Sequence, residues 1–120
     1  MPNYDPENIF AKILRGEIPN DTVIETEHTL AFNDIAPQAS RHVLVIPKGA
    51  YMAYDDFSAQ ASAEELVDFH RTVAKVVELI GAEADGFRAI TNARTHGMQE
   101  VPHFHMHILA GQVMGPLIAS

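Results

Sequence analysis

Apolar positions along the chain follow two periodicities, and their succession predicts the fold. Ile9, Phe10, Ile13 and Leu14 recur at helical spacing. Before them, Asp5-Pro6-Glu7 reads as an N-cap, a proline at the first helical position and an acidic residue favoured by the helix dipole. Gly16 and Pro19 end that helix. Thr22 to Glu27 and Thr29 to Asn33 read as two short strands around a turn at Glu27-His28, with His28 exposed in it. Asp34 to Gln38 forms a loop whose aspartate can start a turn. Arg41 to Lys48 is nearly all apolar, as in a strand that is central or covered on both faces. His42 stands at the mouth of that strand, where a site can form, and Gly49 to Phe57 reads as a loop.

Ser62-Ala63-Glu64-Glu65 is a capping box that opens the longest helix. Leu66, Phe69, Val73, Val76, Val77 and Ile80 make its apolar stripe, His70 borders the stripe, and Gly81 stops the helix. Phe87 to Thr91 is a further strand ending at Asn92. A polar connection, Ala93 to Glu100 with His96 at its tip, leads into the most unusual stretch of the chain.

From His103 to Leu109, histidine and large apolar residues alternate without a break, which predicts a half-buried strand that begins after Pro102 and closes at Gly111. Phe104, Met106 and Ile108 would face a core, and His103, His105 and His107 would line the other face at roughly 6.5–7 Å intervals. A lone histidine beside a core is usually structural, whereas three in strict alternation point to chemistry. Imidazole offers two kinds: metal ligation through neutral ring nitrogens, or nucleophilic and acid–base work at a phosphorus or acyl centre. A hairpin with the preceding strand would bring Asn92 and the loop amides beside the imidazoles. The element order, with strands outside any βαβ alternation, predicts an α+β fold: an antiparallel sheet of about five strands with two helices, in one domain over residues 1–120.

Composition narrows the partners. Sixteen acidic against eight basic residues give a net charge of −8, which argues against nucleic acid and anionic membranes but not against one small anionic ligand. No apolar run approaches the ~18–20 residues of a membrane span, and no signal peptide is evident, so a cytoplasmic protein is expected. Zero cysteines exclude disulfides and cysteine-based zinc sites. The apolar tail, with Met114, Leu117 and Ile118, is expected to dock on its own domain or on another subunit.

His103-Phe104-His105-Met106-His107-Ile108-Leu109 resembles the His-x-His-x-His-x-x motif of the histidine triad superfamily. Phe10 to Pro19, Ala31 to Gln38, His42 to Lys48 and Gly97 to Leu109 are similar to its nucleotide-binding Hint branch, and Met114-Gly115-Pro116-Leu117 to bacterial members. The resemblance implies a purine nucleotide-binding hydrolase or transferase that cleaves the P–N bond of nucleoside phosphoramidates without a cofactor. His105 would be the nucleophile, forming a nucleotidyl-imidazole, with its other ring nitrogen donating to the main-chain carbonyl of His103. His107 would contact the phosphate and departing group, and His42 would line the same site. Asp34 would hold the ribose hydroxyls with Ile35 beside it; Phe10, Ile18, Phe32 and Leu44 would wall the base. Asn92, Met98, Gln99 and Glu100 would receive the phosphate with His107.

Purine nucleoside monophosphates and phosphoramidates are thus the implied ligands, and a homodimer with a sheet continuous across the interface is the implied assembly. Met98, Glu100 and Pro102 depart from the commonest family pattern, which bears on leaving-group preference more than on reaction class. Two other readings of the residues are a nucleotide-binding adaptor with vestigial activity and a metal site made by two of the three histidines with His42.

Overall fold

Side-chain alternation on the central strand organises the architecture. The computed structural model describes residues 3–119. Its strands are β1 (Thr22–Glu25), β2 (Thr29–Asn33), β3 (Arg41–Pro47), β4 (Phe87–Ile90) and β5 (Met106–Ala110). They form one sheet in the order β1-β2-β3-β5-β4, with every neighbouring pair antiparallel. The apolar β3 occupies the centre, as its composition requires. Val43 and Val45 join one apolar cluster with Ala31 and Ile108, while Leu44 and Ile46 join another with Leu30 and Phe32. The sheet therefore carries a separate core on each face.

The first face is covered by α2 (Tyr54–Gln60) and α3 (Ala63–Leu79), which deliver Phe57, Phe69 and Val76 to the Val43 side. Phe57, Phe69 and Phe104 stack at centroid separations of 5.0–5.1 Å. Burying each such ring contributes roughly 1.5–3 kcal/mol. The capping box of α3 is present: Ser62 Oγ accepts from the Glu65 amide, and the Glu65 carboxylate accepts from the Ser62 amide. Gly81, at φ +71°, turns the chain out of the helix in the left-handed conformation that glycine adopts at little cost. His70 is exposed beside the stripe, edge-on to Phe69. The second face is covered only in part, by α1 (Ile9–Leu14) through Phe10 and Ile13.

The α+β class and the five-stranded antiparallel sheet are those expected, and several boundaries move. The N-cap of α1 is Asn8 rather than Asp5: Asn8 Oδ1 accepts from the Ala11 amide at 2.9 Å, while Asp5 closes a turn onto the Glu7 amide. The stretch read as a loop from Gly49 to Phe57 opens α2, a third helix too short for its periodicity to show. Asp56 holds its start by accepting from the Ala53 amide. β1 ends at Glu25 because the next residues turn around a carboxylate: Asp68 Oδ2 of α3 accepts from Thr26 Oγ1, Thr29 Oγ1 and the His28 amide. That contact leaves His28 half-buried instead of exposed.

The largest correction concerns the histidine run. Strand pairing begins at Met106, not His103. Pro102 has no N–H to offer, and the main chain just after it is already engaged by loops. The Phe104 amide donates to the Tyr51 carbonyl and Thr91 Oγ1 to the His105 carbonyl, both at 2.8 Å. The side-chain alternation nevertheless persists through the unpaired residues, since Phe104 joins the core with Met106 and Ile108. Of the apolar tail residues, Met114 is half-buried while Val113, Leu117 and Ile118 are exposed. Polar contacts hold the segment: Gln112 Oε1 accepts from the Ser40 amide and hydroxyl, and Arg88 donates to the carbonyls of Gly115 and Pro116.

Candidate active site

The half-covered face of the sheet holds a cavity of about 510 Å³. Its floor follows from strand register, because Phe32, Leu44 and His107 are successive partners across β2, β3 and β5. Phe10 and Ile13 of α1 and Ile18 beyond it make an apolar wall. Asp34 and Ile35 enter from the loop after β2, and Asn92, Met98 and Glu100 from the loop between β4 and β5. Ile35 is 96% exposed and Met98 79%, so apolar side chains stand free at the rim.

Hydrogen bonds assign the tautomer of each imidazole. His105 Nδ1 lies 2.8 Å from the His103 carbonyl, which can only accept, so Nδ1 carries the proton and the neutral ring keeps its lone pair on Nε2. His42 Nδ1 accepts from the Gln38 amide at 3.0 Å, which makes its Nε2 the donor. That Nε2–H is 2.8 Å from His107 Nδ1, the partner acceptor, and 3.5 Å from Asp34 Oδ2. His107 consequently bears its proton on Nε2. The cavity thus has one imidazole with a nitrogen lone pair, His105, beside one with an N–H to give, His107, their ring centroids 5.1 Å apart.

Burial keeps these rings uncharged. It pushes His107 down to about 4, with His105 and His42 adding to the effect. His105 is lowered for the same first reason, against the opposing pull of its bond to the His103 carbonyl and of Asp34 and Glu100. His42 is lowered by burial against the attraction of Asp34. A neutral imidazole is the nucleophilic form.

Two of the residues named from sequence lie elsewhere. The His103 ring is fully buried behind the cavity, with Nε2 donating to the Pro47 carbonyl at 2.8 Å; only its main chain serves His105. The Gln99 side chain braces its own loop, donating to the carbonyls of Met52 and Val101 and accepting from the Arg94 amide. That loop is tightly wound. Arg94 and Met98 adopt φ of +59° and +60°, and a Cβ on Gly97 would stand 2.6 Å from the Ala93 carbonyl oxygen.

Sequence reading named Phe10 of the α1 stripe as a cavity wall but missed Ile9 and Ile13, whose helical spacing is equally that of core packing. It also missed Asn20 and Asp21 at the β1 end of the cavity and Tyr4, which bonds to His103. No pattern in the chain marks these three.

One ligand atom each from Asp34, His42 and His107 lie within 4.8 Å of one another, a set that could surround a cation. The two imidazole nitrogens are joined at 2.8 Å by a shared proton, however, and an ion would have to displace it. The arrangement suits hydrogen bonding better than ligation.

A family model described as the HIT domain matches residues 15–114. An uncharacterised 13.2 kDa HIT-like protein of Azospirillum brasilense is 54% identical, over 98% of this chain and 96% of its own length. A purine nucleoside phosphoramidase of Escherichia coli K12 is 43% identical, over 94% of each. Among solved structures, a HIT family hydrolase from Clostridium thermocellum superposes with a TM-score of 0.85 at 37% identity, covering 94% of this chain and 97% of that one.

Proposed function

The chain belongs to the HIT domain family, and on that premise we propose that it hydrolyses purine nucleoside phosphoramidates at the α-phosphorus. The reading is carried by one observation: His105 lines the cavity with Nδ1–H held on the His103 carbonyl, leaving Nε2 free to attack. The likeness to a purine nucleoside phosphoramidase supports the choice of reaction. The apolar wall formed by Phe10, Ile18, Phe32 and Leu44 suits a purine face, and the Asp34 carboxylate suits two ribose hydroxyls.

In the first step, His105 Nε2 forms a bond to phosphorus as the P–N bond breaks, and the amine departs with a proton from solvent. In the second, water attacks phosphorus, the imidazole leaves, and the nucleoside monophosphate is released. Dividing the displacement in two lowers each barrier, and the His107 Nε2–H is placed to stabilise charge growing on the phosphoryl oxygens. Asn92 and the main chain of Met98 to Glu100 complete the phosphate end. Glu100 brings a carboxylate there, so any donation from this residue comes from its amide. The chemistry needs no cofactor.

The working form is a cytoplasmic homodimer joined through the β4 edges. The position of β4 at the rim of the sheet, with Phe87 half exposed, supports that assembly. No helix among the described residues is long and apolar enough to cross a membrane.

The test is a panel of adenosine and guanosine phosphoramidates offered to the wild type and His105→Ala side by side. Release of nucleoside monophosphate by the wild type, lost in the variant while AMP still binds, is the expected result. Equal turnover by both proteins would refute the assignment.

A further inference from the structure

Behind the cavity, the hydrogen bonds that orient His105 run through a residue supplied by the far end of the chain. Tyr4 is 99 positions from His103, yet its hydroxyl lies 2.6 Å from His103 Nδ1, and the two rings meet edge to face at 5.6 Å. His103 Nε2 must carry a proton, because its partner is the Pro47 carbonyl. In the neutral ring Nδ1 is therefore the acceptor and Tyr4 the donor. The same residue's carbonyl accepts the His105 Nδ1–H. Phe10 presses edge-on against both imidazoles, which closes the assembly on the α1 side.

We propose that Tyr4 is a positioning residue for the reaction proposed above: its hydroxyl holds the His103 ring neutral and in place, and with it the carbonyl that orients His105. The inference rests on His105 being the nucleophile. A second proton on His103 could go only to Nδ1, where it would displace the bond donated by Tyr4 and force that hydroxyl to turn and accept, and it would put a cation in a fully buried site beside the attacking ring. The groups facing His103 are Tyr4 from the segment before α1, the Pro47 carbonyl from β3 and His105 from its own run. The Asn8 side chain, then Arg15 and Asp5, act on the Tyr4 hydroxyl from beyond it. Both ring nitrogens of His103 are taken, so no carboxylate bonds to it. Burial, which depresses His103 to about 4, works in the same direction.

Tyr4→Phe removes one oxygen from a side chain that does not line the cavity. The expected result with adenosine phosphoramidate is a kcat about tenfold lower at unchanged KM, since a small misplacement of reacting groups is felt in the chemical step. The acid limb of kcat and the ¹⁵N-detected titration of the His103 ring should both move to higher pH. 3-Fluorotyrosine at position 4, a stronger donor of nearly the same shape, should move both to lower pH. Tyr4→Phe with a lower melting temperature but unchanged kcat, acid limb and His103 titration would reduce Tyr4 to packing and overturn the proposal. If Tyr4→Phe does not fold, an unmoved limb and titration in the fluorotyrosine protein overturn it. A wild type without turnover would overturn this proposal and the function together, whereas active wild type with unmoved variants overturns the Tyr4 assignment alone.

Discussion

The two faces of the sheet are built from the same strands and serve opposite ends. On the Val43–Val45 side, α2 and α3 close over hydrocarbon until Phe57, Phe69 and Phe104 have no exposure. On the Leu44 side, the short α1 covers only part of the surface, and the remainder is a cavity floored by Phe32, Leu44 and His107. One face converts area into stability. The other leaves area uncovered and fills its margin with imidazoles held neutral by burial and by one-way hydrogen bonds. A period of two lets neighbouring residues on one strand take these two roles, so Leu44 borders a ligand-sized hollow while Val43 and Val45 do not touch it.

Substitutions on the two faces should therefore separate activity from stability. The largest effect is expected from His105→Ala, which should lower kcat by at least about a thousandfold, as removal of a nucleophile does. Its unfolding free energy should stay within about 2 kcal/mol of the wild type, since one buried hydrogen bond is lost; turnover assays and urea melts check the pair. Phe69→Ala should do the reverse, costing about 3–5 kcal/mol in urea unfolding by opening a cavity in the closed core. The folded fraction should keep its affinity for AMP. Asp34→Asn should weaken AMP binding roughly tenfold to a hundredfold by calorimetry, the range for hydrogen bonds to a charged acceptor, and leave the closed face untouched.

Acid should strike the open face first. His103 and His107 titrate near 4 in the folded chain, below the ~6.5 of an unfolded histidine. Between those values the unfolded chain binds more protons, so stability rises with pH across that window and is lost as pH falls from about 6.5 toward 4. His103→Gln should flatten this slope in melts run at stepped pH. The smallest effect is assigned to Met98→Gly. Met98 holds φ +60° at the rim, and glycine there should raise the unfolding free energy in urea melts by less than about 1 kcal/mol, because release of the left-handed strain outweighs the added chain entropy.

Much of this division was readable from the chain. β3 announced its central place by lacking polar residues from Val43 to Pro47, and the capping box at Ser62 marked the start of α3. Local periodicity identified Phe104, Met106 and Ile108 as core and set the three histidines on the opposite face, where His105 and His107 line the cavity, even though the strand starts later than the alternation does; the roles at the site came from the family resemblance. Contacts between residues distant in sequence were beyond its reach. The bond from Tyr4 to His103 and the grip of Asp68 on the β1–β2 turn depend on how the elements meet, and neither residue type signals its partner. The seven residues of α2 offered too few turns to separate it from a loop. His103 shared the alternation of its neighbours but not their setting, because Tyr4 and Phe10 cover it.

The most direct measurement is to mix the wild type with an adenosine phosphoramidate labelled in its nucleotide, stop the reaction with denaturant within one turnover, and locate the label by peptide mass analysis. A nucleotidyl group on the peptide carrying His105, absent from His105→Ala, is the predicted result. Monophosphate released at full rate with no label on the protein, or with the label on any other residue, would contradict it.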